Sequence, residues 1–303
     1  MRTNSRHRDS LTGRIVKAVY QNPAIIGVHM SRAETSQRSR VPWALALAVG
    51  LASGLAGYVI HAARINRVPK QVVHVKRLTD MAGMEESPAI SPDGKSVAFV
   101  AAKQIWIGNA TVTHADADHY APRWSADSTS LIYFASGAIW EVPANKIADA
   151  LTPGDLSHEG KKLAFFRQGN ELVAGDHIVT KLRPGGPGDT YSNLRWSPDD
   201  KKIAYLQGTS LMVISIAGGE PVKATDMAVQ GFAWAPDGSG LIVSTHGELW
   251  FVPRVEGRLP SQLTFGELAY ESPDIDSAGN VVVSRRSLDG SEADIVMFSG
   301  LKW

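Results

Sequence analysis

A short motif returns six times along the chain, and no other feature restricts the fold so strongly. Its fullest form is Ser91-Pro92-Asp93-Gly94, followed by an apolar run. Pro presets φ, Asp bonds nearby backbone and Gly accepts a positive φ, so the motif predicts a turn between two strands. Repeats of roughly 32 to 41 residues indicate an array of supersecondary units. Aligned without gaps, the copies begin at Ser87, Ala121, Pro153, Asn193, Gly231 and Ser272.

Apolar residues flank each turn at fixed positions. The position four residues before the glycine holds Ile90, Trp124, Leu156, Trp196, Trp234 or Ile275. The position three residues after it holds Val97, Leu131, Leu163, Ile203, Leu241 or Val282. A third apolar pair follows in each copy, and Pro221 to Thr225 and Pro260 to Thr264 each predict a short fourth strand. Four strands per unit predict an all-β, six-bladed β-propeller with four-stranded blades.

Residues 72–79 precede the first copy and have the pattern of a strand. The sixth copy shows no fourth strand of its own after Ile295-Val296. We therefore predict that 72–79 completes the last blade and protects the edge at which the first and last blades meet. The predicted propeller spans residues 71–303.

The Trp-Ser-Pro-Asp form at 196–199 and the Ser-Pro-Asp-Gly form at 91–94 resemble TolB-like repeats, also called PD40 or WD40-like repeats, of bacterial envelope proteins. The resemblance covers residues 71–303. It implies a propeller that binds partners at the cell envelope. Copy three departs from the pattern with His158-Glu159 in place of Pro-Asp, and copy six has lost that pair.

Two recurring residue types have predicted structural roles. Aspartates in the turns are expected to bond their own backbone, and they are Asp93, Asp127, Asp199 and Asp237. Tryptophans at one repeat position could bind a ligand, but their regular recurrence favours packing between blades. They are Trp124, Trp196 and Trp234.

The N-terminal part of the chain has a different composition. Residues 1–40 hold eight Arg or Lys against Asp9 and Glu34 and predict a cytoplasmic tail; contact with nucleic acid or anionic lipid is the alternative. Residues 41–63 lack charged side chains, and at about 1.5 Å per residue they match a bilayer core of about 30 Å. We predict an uncleaved transmembrane helix there rather than a signal peptide, followed by a linker at 64–70.

The orientation of the predicted span depends on which basic residues are counted. Those within twenty residues of the span favour a cytoplasmic propeller. The whole tail and the resemblance favour a single-pass bacterial inner-membrane protein with its propeller in the periplasm, which is the orientation we expect. Gly50 and Gly54 have the spacing that allows close helix approach, so the span can form a homodimer.

Motifs with catalytic chemistry are missing from the sequence. It has no Gly-x-Ser-x-Gly, no Walker loop and no His-Glu-x-x-His, and with no Cys it excludes thiolate chemistry. We expect no enzymatic activity and no cofactor. The net charge of the whole chain is +1, which makes no electrostatic case for nucleic-acid binding, and we do not expect the propeller to bind nucleic acid.

Two acidic clusters raise the question of a metal. His114, Asp116, Asp118 and His119 could hold a divalent cation between blades one and two, but no Gly turn completes an ion loop, so we expect a solvated link. Asp274-Ile275-Asp276 begins like such a loop. The alignment places Ile275 in a strand, which predicts that both aspartates cap turns.

Three functions from different classes are compatible with the sequence. The first, which we favour, is a membrane-anchored sensor whose propeller recognises an envelope protein, peptide or glycan. The chain resembles the propeller half of bacterial regulators that carry a cytoplasmic winged-helix or kinase domain for signal transduction. The second is an envelope scaffold of the TolB kind. The third is a peptidase accessory that lacks its hydrolase domain. The propeller fold itself does not choose among them.

Overall fold

The computed structural model describes residues 73–114, 117–168, 170–182, 190–255, 257–266 and 268–303. The predicted tail 1–40, span 41–63 and linker 64–70, with Gly50 and Gly54, lie outside these ranges. Among the residues described, no helix is long and apolar enough to cross a membrane.

The described chain forms six four-stranded antiparallel sheets, one for each copy of the repeat. Blade one contains β2 Glu85–Ile90, β3 Val97–Ala101, β4 Gln104–Ile107 and β5 Ala110–Thr111. Blade two contains β6 His119–Trp124, β7 Leu131–Ala135, β8 Ala138–Glu141 and β9 Asn145–Asp149. Blade three contains β10 Asp155–Leu156, β11 Leu163–Arg167, β12 Glu171–Ala174 and β13 His177–Lys181.

The last three blades follow the same order. Blade four contains β14 Tyr191–Trp196, β15 Lys202–Gln207, β16 Ser210–Ser215 and β17 Val222–Lys223. Blade five contains β18 Gly231–Trp234, β19 Gly240–Thr245, β20 Glu248–Pro253 and β21 Ser261–Gln262. Blade six contains β22 Ala269–Ile275, β23 Val281–Arg286, β24 Ala293–Ser299 and β1 His74–Arg77. The six-bladed all-β prediction is confirmed, although the fourth strands predicted at 221–225 and 260–264 are only two residues long.

The propeller is closed by its own N-terminal strand. β1 pairs antiparallel with β24, in a register that runs from His74 opposite Ser299 to Arg77 opposite Val296. Leu78 N–H continues the ladder by donating to Ile295 O at 2.8 Å. β1 gives the outer edge of blade six a partner, as the sequence predicted, and so protects that edge.

Tryptophans at the first repeat position join blades two, four and five to the blade before each. The Trp124 indole donates to Ala89 O and that of Trp196 to Asp155 O, each at 3.1 Å, and Trp234 donates to Arg195 O at 3.4 Å. Trp196 and Trp234 are buried, at 1 % and 5 % exposed, while Trp124 is half-buried. Since a buried indole N–H needs an acceptor, these bonds satisfy it while the ring fills the space between sheets. The packing prediction is confirmed.

The turn aspartates bond the backbone of their own turns. Each accepts a hydrogen bond from the N–H two residues ahead, at 3.1 Å for Lys95, 3.1 Å for Thr129, 3.2 Å for Lys201 and 2.9 Å for Ser239. The side-chain hydrogen bond from Ser91 and then those from Lys95 lower the pKa of Asp93 to about 2. Hydrogen bonds to the ionised form stabilise it, so these turns are built around a carboxylate.

The two irregular copies are stabilised by other aspartates. In copy three, Asp200 of the next blade accepts hydrogen bonds from the backbone N–H groups of His158 and Glu159, at 2.7 and 2.9 Å. In copy six, Asp276 accepts from the N–H groups of Ala278 and Asn280, at 3.0 and 2.8 Å. The prediction that Asp276 caps a turn is therefore confirmed.

Gly94 and Gly160 occupy the same turn position and provide a matched test of contacts between turns. Both have positive φ, +73° and +70°. A Cβ on Gly94 would lie 2.7 Å from the Oδ2 atom of the buried Asp276, whereas one on Gly160 would meet nothing within 4 Å. We expect Gly160→Ala to lower the free energy of unfolding by about 1–2 kcal/mol, because alanine is strained in the left-handed backbone conformation. Gly94→Ala should cost about 1–3 kcal/mol more, for overpacking.

Urea denaturation of both variants and of the parent protein measures the difference between their free energies of unfolding. Each substitution restricts the unfolded chain alike, so that contribution cancels. Equal losses would contradict the contact between Gly94 and Asp276.

Candidate functional site

The first strands of the six blades place one equivalent residue each around the centre of the propeller. We call this repeat position, directly before the flanking apolar residue, the channel position. In the third and fifth blades it is Asp155 and Ala233. The complete set is Ala89, Arg123, Asp155, Arg195, Ala233 and Asp274.

Backbone irregularity precedes the channel position in four blades. The pairing of the first two strands shifts within β2, β6, β14 and β22. A residue with φ between 46° and 53° lies at each shift, and these residues are Ser87, Ala121, Asn193 and Ser272. A β-bulge redirects the side chains beside it and is common next to functional sites. In these four blades the bulge lies just before the channel position, whereas blade three places Asp155 at the same cavity without a bulge in its pairing.

Four of the six channel-position side chains are ionisable, and two of them form an ion pair. The Arg195 guanidinium lies 3.3 Å from an Asp274 carboxylate oxygen, with side chains only 8 % and 17 % exposed. The other Asp274 oxygen accepts a hydrogen bond from Ile90 N–H at 2.9 Å. Asp274 therefore does not cap a turn, and that prediction was wrong. Its carboxylate instead joins blade six to blades one and four.

Arg123 has no comparable partner. It is 7 % exposed, and it donates a hydrogen bond through Nη1 to the carbonyl of its own neighbour, Pro122. The described residues place no carboxylate oxygen within 4.0 Å of its guanidinium, and its Nε–H is buried without an acceptor. Burial lowers the pKa of Arg123, while the more distant Asp274 and Asp155 raise it. A buried guanidinium with so few bonds is costly for the free protein.

Asp155 is the second channel residue without a direct ionic partner. One of its oxygens accepts a hydrogen bond from Trp196 N–H at 2.8 Å, and among the described side chains no cation lies within 4.0 Å. Burial raises its pKa, against the lowering effect of Arg123 and the Trp196 bond. The carboxyl group is therefore available to accept a donor from outside the protein.

The charged residues line a cavity that opens on one face of the disc. We call this face, which carries the turns between first and second strands, the hairpin face. The cavity, the mouth cavity, has a volume of about 110 Å³. Its walls include the four charged channel residues together with Pro92, Ala126, His158, Trp196 and Trp234. Arg123 and Arg195 also line a smaller cavity of about 30 Å³, so the two arginines form a layer across the channel.

A larger groove lies on the hairpin side between blades four and five. Its volume is about 690 Å³, with Lys223, Arg254 and Arg258 among its lining residues. Arg254 is exposed and its guanidinium lies 5.4 Å from the Trp234 ring centroid. Exposed cations already in contact with water bring little specificity. The mouth cavity, with desolvated charges that converge, is therefore the stronger candidate.

Two of the candidate metal ligands, Asp118 and His119, make contacts with other residues of the protein. His119 is buried at 4 % exposure, with Nδ1 3.1 Å from Lys103 O. Asp118 pairs with Lys103 at 3.1 Å and accepts from the Tyr120 hydroxyl at 3.0 Å. His114 is exposed, and Asp116 lies outside the described residues. Within those residues, no three His, Cys, Asp or Glu side chains come together as a metal site.

The channel site was missed from the sequence, although a signal was present. The alignment column directly before the flanking apolar residue contains two arginines and two aspartates. Charged residues at an interior strand position are rarely buried unless they are paired. A balanced set of charges at that column therefore indicates a central cluster, once the repeats are known to surround an axis.

Comparison with known proteins adds little beyond the fold. No family model and no curated protein matches the chain. A TolB structure from Agrobacterium tumefaciens is similar at 18 % identity and a TM-score of 0.49, over 59 % of this chain and 74 % of its own. TolB from Acinetobacter baumannii is similar at 17 % identity and a TM-score of 0.49, over 74 % of this chain and 65 % of its own. The described part of the chain is a six-bladed β-propeller, as its own repeats, strand order and closure establish.

Proposed function

We propose that the protein is a binding propeller that recognises a segment of a partner protein at the mouth cavity on the hairpin face. The observation that carries the proposal is a pair of incompletely bonded charges that line an open cavity, the buried Arg123 and the half-buried Asp155. A protein retains such groups at a cost to its stability, and a ligand that bonds them repays that cost.

The surroundings of the cavity suit a peptide. Pro92, Ala126 and Trp234 border the cavity beside the four charged side chains, so its lining combines apolar with charged groups. A partner segment need only present its tip, since the cavity volume is about 110 Å³. The surrounding hairpin turns offer further contact area for the rest of the partner.

We place this activity at the bacterial envelope, with residues 41–63 as the membrane anchor and the propeller outside the cytoplasm. The support is the charge-free stretch of that length and the resemblance of the repeats to those of envelope propellers. Partner recognition without catalysis is part of the same proposal.

Photo-crosslinking from two positions tests the binding face. A photoreactive amino acid at Ala126 lies on the rim of the mouth cavity, and one at Thr209 lies in the exposed turn between β15 and β16 on the opposite face. We expect irradiation of cells that produce the full chain to give one adduct of discrete mass from position 126 and none from position 209. Capture from position 209 alone, or no adduct from position 126, would contradict the proposal.

A further inference from the structure

We propose that the mouth cavity binds an α-carboxylate group together with the N–H donor beside it, as presented by the C-terminal residue of a peptide or by a free amino acid. The inference rests on the proposed binding function and names the chemistry that the cavity recognises. In this arrangement the carboxylate pairs with Arg123 and the adjacent N–H donates to Asp155.

The first step of the argument is the contrast between two arginines at one repeat position. Arg123 and Arg195 are equally buried, each at 7 % exposure. Arg195 has the Asp274 carboxylate at 3.3 Å, whereas no described carboxylate lies within 4.0 Å of Arg123. A guanidinium fork matches a carboxylate through two parallel hydrogen bonds. Arg123 therefore lacks the kind of group that Arg195 already has, and it borders the open cavity where such a group can enter.

The second step is the donor that must accompany the carboxylate. Asp155 lines the same cavity and accepts a bond from Trp196 N–H at 2.8 Å, which leaves acceptor capacity toward the cavity. A bare anion near this carboxylate would be repelled by it. A ligand that presents a donor next to its carboxylate turns that repulsion into a hydrogen bond. The α-carboxylate and the nitrogen on the same carbon have this arrangement.

The third step is size. An apolar cavity of about 150 Å³ accommodates benzene. The mouth cavity, at about 110 Å³, therefore admits the end of a chain but not a bulky side chain with its flanking backbone. The proline, alanine and histidine at the rim lie on the hairpin face, so the rest of a peptide can remain outside in solvent.

Calorimetric titration of the purified full-length chain with four small probes tests the proposal. The probes are N-acetylglycine, glycine, acetate and N-acetylglycine amide. We expect N-acetylglycine or glycine to bind about tenfold more tightly than acetate, and the amide to show no saturable binding. Tighter binding of N-acetylglycine identifies a peptide C-terminus as the natural group, and tighter binding of glycine identifies a free amino acid. Equal affinities for acetate and both α-carboxylate probes would overturn the proposal.

Variants assign the roles within the cavity. Arg123→Gln should weaken the preferred probe about tenfold or more, and Arg123→Lys, which keeps the charge without the fork, should lose less. Asp155→Asn should remove the preference over acetate. Arg258→Gln alters an exposed cation of the separate groove and should leave every affinity unchanged. Probe binding that survives in Arg123→Gln, with its folded state verified by circular dichroism, would overturn the assignment.

The proposed function and this inference fail in different experiments. If a photoreactive residue at position 126 gives an adduct but no probe binds, the α-carboxylate proposal is rejected and partner binding on the hairpin face is retained. If probes bind in a way that depends on Arg123 but position 126 gives no adduct, the α-carboxylate proposal is retained. A protein partner at the rim of the mouth cavity is then rejected.

Discussion

Replacement of Arg195 by Met is expected to lower the free energy of unfolding by about 2–3 kcal/mol at pH 8, because it leaves a largely buried carboxylate without its cation. The carboxylate is that of Asp274, whose side chain is 17 % exposed and lies 3.3 Å from Arg195. Methionine fills much of the same volume, so the loss measures the broken ion pair rather than a cavity. Urea denaturation followed by tryptophan fluorescence provides the measurement.

The same experiment at lower pH tests the cause of the loss. Burial raises the pKa of Asp274 to about 6, against the lowering effect of Arg123. A carboxyl whose folded pKa is raised binds its proton more readily in the folded state, so its unfavourable contribution grows as the pH rises through about 6. At pH 5 a neutral Asp274 needs no cation, and the loss in Arg195→Met should shrink. A loss that does not change between pH 5 and pH 8 would contradict this explanation.

Arg123→Met is the matched control, since Arg123 occupies the equivalent position in blade two with the same burial. No described carboxylate lies within 4.0 Å of it, so no direct pair is broken. The relief of a poorly bonded guanidinium offsets the lost attraction of the more distant carboxylates. We expect a stability within about 1 kcal/mol of the parent. A loss as large as that of Arg195→Met would show that Arg123 is an internal structural cation and would weaken the ligand proposal.

Trp196→Ala is expected to destabilise the protein by about 3–5 kcal/mol. Trp196 is 1 % exposed and packs with Phe166, Leu194 and Tyr205 between blades three and four. Its indole N–H donates to Asp155 O at 3.1 Å, so the substitution removes an inter-blade bond together with the packed ring. Guanidinium denaturation measures the loss.

Two companion variants separate the contributions. Trp196→Phe keeps an aromatic ring but not the donor, and its loss should be smaller. Trp124→Ala removes the residue at the same repeat position in blade two, where the ring is only half-buried, and it too should cost less. Equal losses of unfolding free energy for Trp124→Ala and Trp196→Ala would contradict the idea that burial determines how much each tryptophan stabilises the protein.

The sequence alone determined the blade count, the four strands of each blade, the packing role of the tryptophans and closure by the first strand. These features depend on interactions that recur at short range, namely Asp-Gly turn chemistry, apolar alternation and a fixed repeat length. All six copies predict the same local structure. The structure of an irregular copy, such as the third one around Ser157, can therefore be inferred from the regular copies. The closing strand followed from the missing fourth strand of the last copy.

The tertiary structure decided which charges meet. Arg123, Asp155, Arg195 and Asp274 are separated by tens of residues and come together only because six first strands surround one axis. Bulges at residues such as Ala121 and Ser272 lie just before two of these charges, and no local pattern revealed the bulges. Asp200 bonds the backbone N–H groups of His158 and Glu159 in copy three from a different blade. Such contacts depend on distances across the assembled ring, which the order of residues along a strand does not contain.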